Sequence, residues 1–348
     1  MAEVPPVDVL VMGAGAIGCY IGGSLASEGV RVLFVGRPRV LVALERHGLR
    51  LSDLDGGERY MPPGSLRVAE RIPPGVRPGL VLLTVKSGAT AQAAAELGEA
   101  LPPGTAVISL QNGISNAAAA AQVAPRLRVL PGMVPYNVAE IGQGAFHRGT
   151  AGRLAAQDDA LLRPWLAVFE SAGVPIDRHA NMLPVQWGKL LLNLNNPINA
   201  LSGLPLRQQL MDRGYRRCLA ALMDEALEAL AWAHIKPAQL AAVPPRLMPT
   251  ILRLPDPLFK VVAARMLRID EKARSSMADD LALGRRTEIN ELCGEVVRLA
   301  RSNGARAPRS AKMVELIEAW PSRPQPLSAQ ELMSALGLAQ DADHSRKG

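Results

Sequence analysis

Aromatic residues are scarce in this 348-residue chain, at 3% of positions, so its core must rest on Leu, Val, Ala, Ile and Met. Cysteine is nearly absent as well: Cys19, Cys218 and Cys293 stand far apart with no CxxC spacing. That argues against a disulfide framework and against a zinc site, and three small buried side chains are expected instead. No metal site is expected. Long apolar runs are missing too. The start, MAEVPPVDVLVMGAGAIG, has no basic leader, and glycines interrupt its apolar stretch. Neither a signal peptide nor a membrane span fits, and a cytoplasmic protein is expected. Blocks of like charge are also lacking. The net charge is +7, but Arg and Lys are scattered among acids, which suits anionic small ligands and predicts no nucleic-acid partner.

What the chain does have is order along its length. Val7 to Met12 is a short apolar run ending in Gly13, a small-residue helix follows over about Ala16 to Ser27, and Arg31 to Val35 reads as the next strand. This is a βαβ unit. Leu80 to Val85 and Ala106 to Leu110 are further buried-strand runs, and the Ala-rich stretch Thr90 to Leu101 between them is a helix ending at Pro102. From about Met182 the pattern changes to long periodic stretches over Arg213 to Ala233, Pro257 to Leu283 and Glu288 to Ser302. Val243 to Pro257 is rich in proline and predicts an irregular connection, and the polar end QDADHSRKG is expected to fray. The expected architecture is α/β: an N-terminal Rossmann domain with a doubly wound parallel sheet over residues 1–180, an all-α domain over 181–325 and a tail over 326–348.

Gly13, Gly15 and Gly18 spell GxGxxG, with Ala16 and Ile17 between the last two. Following a strand and opening a helix, such a loop lets backbone approach a pyrophosphate, while the helix start offers oriented amides and positive potential. NAD, NADP and FAD all use this arrangement. NAD sites usually carry an acid at the end of the second strand, but RVLFVGR has Gly36 and Arg37 there. A guanidinium can neutralise a 2′-phosphate, which favours NADP over NAD; the other reading of Arg37 is a solvated loop residue. Lys86 and Asn112 follow two further strands at the edge where doubly wound folds bind ligands. Asn112 with Gly113 also reads as a plain turn.

In the second domain, QWGKLLLNLNNPINAL places Lys189, Asn193 and Asn196 at i, i+4 and i+7 among leucines. One polar stripe on a helix either lines a polar cavity or faces solvent. Pro197 is expected to kink the helix just beyond the stripe. Further on, Gly284 reads as a helix end and Thr287 as the cap of the next helix, with Glu288 in its first turn. Glu288 and Ser276 each also read as ordinary helix residues.

Taken in order, GAGAIG, VK at Lys86, QNG at Asn112, KLLLNLNN at Lys189 and SSM…D…GRRTEIN from Ser275 to Asn290 resemble the ketopantoate reductases over about residues 7 to 318. The resemblance implies NADPH-dependent reduction of ketopantoate to pantoate on the pantothenate and coenzyme A pathway, in a cleft between the two domains. It implies that Lys189 is the general acid with Glu288 supporting it, and that Asn112, Asn193, Asn196 and Ser276 contact the substrate. Lys86 is placed nearer the cofactor. Departures are present: the second helix asparagine falls at i+7 where some members have i+8, Cys293 precedes Gly294 where Asn-Gly is expected, and the stretch Leu240 to Met266 is long. Alternatives are a relative reducing another 2-keto acid and a non-catalytic NADP sensor. A monomer or homodimer is expected.

Overall fold

The structure is a computed structural model and describes residues 6–264 and 273–338. The chain divides into two compact units, Met1–Gln186 and Trp187–Gly348.

The first unit is built on strands β1 (Val9–Met12), β2 (Val32–Val35), β3 (Leu49–Asp53), β4 (Glu58–Met61), β5 (Arg67–Ala69), β6 (Leu80–Leu83), β7 (Ala106–Ser109), β8 (Arg128–Met133), β9 (Val138–Gly142), β10 (Ala145–Arg148), β11 (Leu154–Gln157) and β12 (Ile176–His179). Its helices are α1 (Ala16–Ser27), α2 (Pro38–His47), α3 (Thr90–Ala100), α4 (Asn116–Val123) and α5 (Leu166–Ser171). The main sheet has the order β12-β11-β8-β7-β6-β1-β2-β5. β1 pairs in parallel with both β2 and β6, and all four of its residues are buried, as a strand covered on both faces requires. Alternate residues go to opposite faces: Val9 and Val11 join a core with Leu25 of α1, and Leu10 and Met12 join one with Leu97 of α3. From β1 the sheet runs through β2 to β5 on one side and through β6 to β8 on the other. The crevice of a doubly wound fold therefore opens at the carboxyl ends of β1 and β6.

The Rossmann architecture expected from the sequence is the one found, with additions. β11 runs antiparallel to β8, so the sheet is mixed at that edge. A second sheet of order β4-β3-β10-β9 packs against α1, where a Cβ on Gly23 would lie 2.5 Å from Leu49 Cδ2.

The second unit holds the rest of the helices, after α6 (Leu183–Asn193): α7 (Asn195–Ser202), α8 (Leu206–Met211), α9 (Arg213–Trp232), α10 (Met248–Leu252), α11 (Asp256–Val262), α12 (Ser276–Ala282), α13 (Cys293–Ser302), α14 (Pro308–Ala319) and α15 (Ala329–Ala335). No strand occurs among its described residues. The connection expected to be irregular over Val243 to Pro257 contains α10, because Pro249 sits in the first turn, where its missing N–H costs nothing. Of the helix expected over Pro257 to Leu283, α11 and α12 form the two ends and residues 265–272 lie outside the described residues, as do the last two residues of the Leu240–Met266 stretch and the tail QDADHSRKG. Arg216 of α9 is fully buried. Its guanidinium donates to the carbonyls of Leu210, Met211, Leu252 and Leu254 and to the Asp256 carboxylate at 2.8 Å, and it stacks 4.1 Å from the centre of the Phe259 ring.

All three cysteines are free and buried. Burial raises each thiol, to about 12 for Cys218. Among the described residues no helix is long and apolar enough to cross a membrane, and no group of His, Cys, Asp and Glu could hold a metal.

Candidate active site

The glycine loop between β1 and α1 shows why each glycine stands where it does. Gly13 has φ +116°, and a Cβ there would lie 2.5 Å from the Val85 amide nitrogen. A Cβ on Gly18 would meet the Gly13 carbonyl and lie 2.6 Å from Thr84 Oγ1. Thr84, just past β6, donates from Oγ1 to the Gly13 carbonyl at 2.8 Å and so ties the loop to the neighbouring strand. Gly15 is different: an added Cβ would have nothing within 4 Å. Gly15 caps α1 without a side chain, so the first-turn amides of Ala16, Ile17 and Gly18 point outward with no intrahelical acceptor. An open approach to bare backbone amides at a helix start fits the pyrophosphate of a dinucleotide.

Beside this loop, Gly36 at the end of β2 packs so tightly that a Cβ would lie 2.6 Å from Ala14 Cβ. Arg37 follows as the N-cap of α2 and is exposed. Its guanidinium has no hydrogen bond or ion pair among the described residues, whereas Arg39 is held by Glu140 through two bonds of 2.8 Å.

Lys86 is exposed at the start of a short 3₁₀ turn, Ser87–Ala89, and Asn112 is partly exposed after β7. Gly113 has φ +88°, and the chain bends over residues 112–115. A buried polar chain joins the two loops. Ser109 Oγ donates to Gln111 Oε1 at 2.9 Å, Gln111 Nε2 to Thr90 Oγ1 at 2.6 Å, and Thr90 Oγ1 to Asn116 Oδ1 at 2.8 Å. Asn116 Nδ2 then donates to Ser87 Oγ at 3.1 Å and to the Asn112 carbonyl at 2.6 Å. Lys86 and Asn112 are thus presented on loops that share one rigid support.

In the helical unit, Lys189 keeps part of its surface exposed, yet the protein around it is dense enough to lower its ammonium to about 8 by desolvation. Asn193 is buried and Asn196 partly exposed. The stripe does not lie on one unbroken helix: α6 ends at Asn193 and α7 begins at Asn195. The break falls inside the stripe, not beyond it, because Pro197 has no N–H to donate to the Asn193 carbonyl four residues back. Leu194 stays in the right-handed helical region, with φ −60° and ψ −15°, and its amide still donates to Leu190 at 3.0 Å.

Ser276 is the first residue of α12 and is exposed. The buried Ser275 before it is the N-cap, accepting from the Ala278 amide at 3.2 Å and donating to the Asn196 carbonyl at 3.1 Å. Asn196 and Ser276 are therefore brought together. Gly284, at φ +60°, follows α12 as expected, but Thr287 caps no helix. Glu288 is buried at the start of a 3₁₀ turn, Ile289–Glu291, and the α-helix proper begins only at Cys293. Sequence reasoning missed Thr84, Asn116 and Asn199, and took Gln111 and Ser275 only as members of the QNG and SSM motifs. Polar residues at strand ends and after a helix-breaking proline were the available signal.

Residues 9–159 match the family model described as Ketopantoate reductase PanE/ApbA, and residues 181–320 match Ketopantoate reductase PanE/ApbA C terminal. A 2-dehydropantoate 2-reductase of Halobacterium salinarum is 30% identical over 89% of this chain and 97% of its own length. The crystal structure of a PanE/ApbA family ketopantoate reductase from Ralstonia eutropha JMP134 is similar at a TM-score of 0.76 and 28% identity, covering 91% of this chain and 99% of that one. D-mandelate dehydrogenase, solved with NADH and anilino(oxo)acetate, shares the fold at a TM-score of 0.74 and 18% identity, with 90% and 98% covered. With family models matching both units and a full-length relative at that identity, this chain belongs to the ketopantoate reductase family.

Proposed function

We propose that this protein reduces ketopantoate to pantoate with NADPH, on the way to pantothenate and coenzyme A. The observation that carries the reading is Lys189, an ammonium lowered to about 8 by its surroundings on a helix that also bears Asn193. Bound NADPH would supply a hydride to C2 of the keto acid. The electron pair of the C2–O π bond then moves onto oxygen, and an ammonium of this acidity, still mostly protonated at neutral pH, gives its proton to that far more basic oxygen. Solvent returns the proton to Lys189 afterwards. Glu288 holds the ammonium in place, while Asn112, Asn193, Asn196 and Ser276 bind the carboxylate and terminal hydroxyl of the substrate. In the first unit, the Gly13–Gly18 loop takes the pyrophosphate on the amides of Ala16, Ile17 and Gly18. Arg37 would pair with the 2′-phosphate, and Lys86 and Asn112 would add further contacts to the cofactor.

A second reading keeps this machinery and changes the 2-keto acid. It is favoured by the fold shared with D-mandelate dehydrogenase and by the long Leu240–Met266 stretch. Loss of NADPH absorbance, followed with ketopantoate and with a panel of aliphatic and aryl 2-keto acids, separates the readings. Highest kcat/KM with ketopantoate supports the first, and an aryl acid ahead of it supports the second. Tight NADPH binding with no turnover of any of them leaves an NADP sensor and defeats both. Light scattering reads whether the protein is a monomer or a homodimer.

A further inference from the structure

We propose that Asn199 is a positioning residue that sets the distance between the substrate contacts Asn196 and Ser276; this rests on the function proposed above. Asn199 lies inside α7 and has no exposed surface. An amide buried in a helix must find partners or pay its full desolvation. It finds one on each side. Nδ2 donates to the Leu204 carbonyl at 2.9 Å, just past the end of α7, and Oδ1 accepts from the Ser275 backbone amide at 2.9 Å. Ser275 in turn donates from Oγ to the Asn196 carbonyl at 3.1 Å. The start of α12 is therefore fastened to α7 at two points, Asn196 and Asn199, which lie one turn apart.

The consequence is geometric. Ser276 is the next residue in the chain after the fastened Ser275, and Asn196 supplies one of the two fastening points itself. With both bonds made, neither residue can move along or around α7 independently of the other. Catalytic and binding groups need placement to about 0.5 Å, and this latch supplies it from behind, with no contact to the substrate. Removing the Asn199 amide leaves the Asn196 bond as a single pivot and orphans the Ser275 amide and the Leu204 carbonyl.

Two variants test this. Asn199→Leu keeps the branching and the number of heavy atoms, with somewhat larger bulk, and deletes both bonds. Asn199→Asp keeps the acceptor for the Ser275 amide in both protonation states and, when ionised, loses only the donor to the Leu204 carbonyl, so the fastening of α12 to α7 survives in it. For Asn199→Leu, the expected result is a KM for the keto acid raised about tenfold or more, with the NADPH Kd within about twofold of the native value. For Asn199→Asp, KM for the keto acid should stay within about threefold of the native value at each pH between about 5.5 and 8.5, because the bond to the Ser275 amide is kept. A folded Asn199→Leu protein with native KM overturns the proposal. So does an equal loss of keto acid and NADPH affinity, which marks general damage to the fold. If Asn199→Leu does not fold, Asn199→Ala, which deletes the same two bonds, decides by the same two constants, and a native KM in it overturns the latch. Native protein that turns over no 2-keto acid removes the functional reading and this proposal with it, whereas native turnover with unaffected variants removes the latch alone.

Discussion

Arg39 and Glu140 form a two-pronged ion pair, with both outer guanidinium nitrogens 2.8 Å from carboxylate oxygens, while the guanidinium of Arg37 two residues earlier engages no partner among the described residues. The sequence alone could not tell these arginines apart. Arg37→Ala should weaken NADPH by about ten- to a hundredfold, the value of one charge-assisted phosphate contact, and leave NADH almost unchanged. Arg39→Ala should treat the two cofactors alike. Calorimetric titration of each variant with both cofactors measures this, and equal losses in Arg37→Ala would assign that side chain to the fold.

The glycines should separate by experiment. At Gly13, φ +116° and a backbone nitrogen 2.5 Å from the added Cβ make Ala a strain of about 1 to 3 kcal/mol or more, visible as a lower melting temperature. Gly15 has φ −91° and open space, so Gly15→Ala should melt as the native protein does and still lose dinucleotide affinity by about tenfold or more. Native affinity in Gly15→Ala would show that the open side of the loop is not where the pyrophosphate lies.

Lys189→Ala should lower kcat by about a hundredfold or more while NADPH binding survives. The pH dependence has a definite sign. Reduction needs the ammonium, so kcat/KM for the keto acid should fall as pH rises through about 8, and the reverse oxidation should rise over the same interval. Lys189→Arg, charged throughout, should erase that limb. An unchanged limb in Lys189→Arg would assign the titration to another group.

Stability follows the same group with its own sign. The folded value of about 8 lies below the ordinary 10.5, so the cost of burying the charge is fully present below pH 8 and disappears as pH rises toward 10.5. Lys189→Met should consequently melt higher than the native protein at neutral pH, with the gap closing in alkali. A variant that melts lower at neutral pH would mean that the ammonium's partners outweigh its desolvation.

Arg216→Met should destabilise the chain by about 3 kcal/mol or more, since it leaves four carbonyls without a donor and the Asp256 carboxylate without its cation. NADPH affinity should not change. Denaturant titration checks the first and calorimetry the second, and a loss under about 1 kcal/mol would show that water replaces the guanidinium.

Much of the dinucleotide half was legible because its signals are local. The apolar run of β1, the glycines after it and the Ala-rich α3 each follow from neighbours in sequence. The second sheet was not, since β3 and β10 pair across about a hundred residues and their mixed, half-exposed patterns resemble loops. In the helical half, the Lys189, Asn193 and Asn196 spacing was visible, but the break at Leu194 depended on a bond that Pro197 cannot make. Thr287 looked like a cap because threonine often is one, yet the turn at Ile289 to Glu291 delays the helix to Cys293. Asn199 and Ser275 could not be paired from sequence at all, being joined only by folding.

The three buried cysteines make the chain its own folding probe. A thiol that is covered and raised this far reacts with an alkylating reagent only when the structure around it opens. Cys19 reports on α1 in the dinucleotide unit, and Cys218 and Cys293 report on α9 and α13 in the helical unit. Labelling at increasing denaturant, read by peptide mass, would therefore give the opening free energy of each unit separately, and would reveal whether the two halves come apart in one event or in sequence, without a single engineered residue.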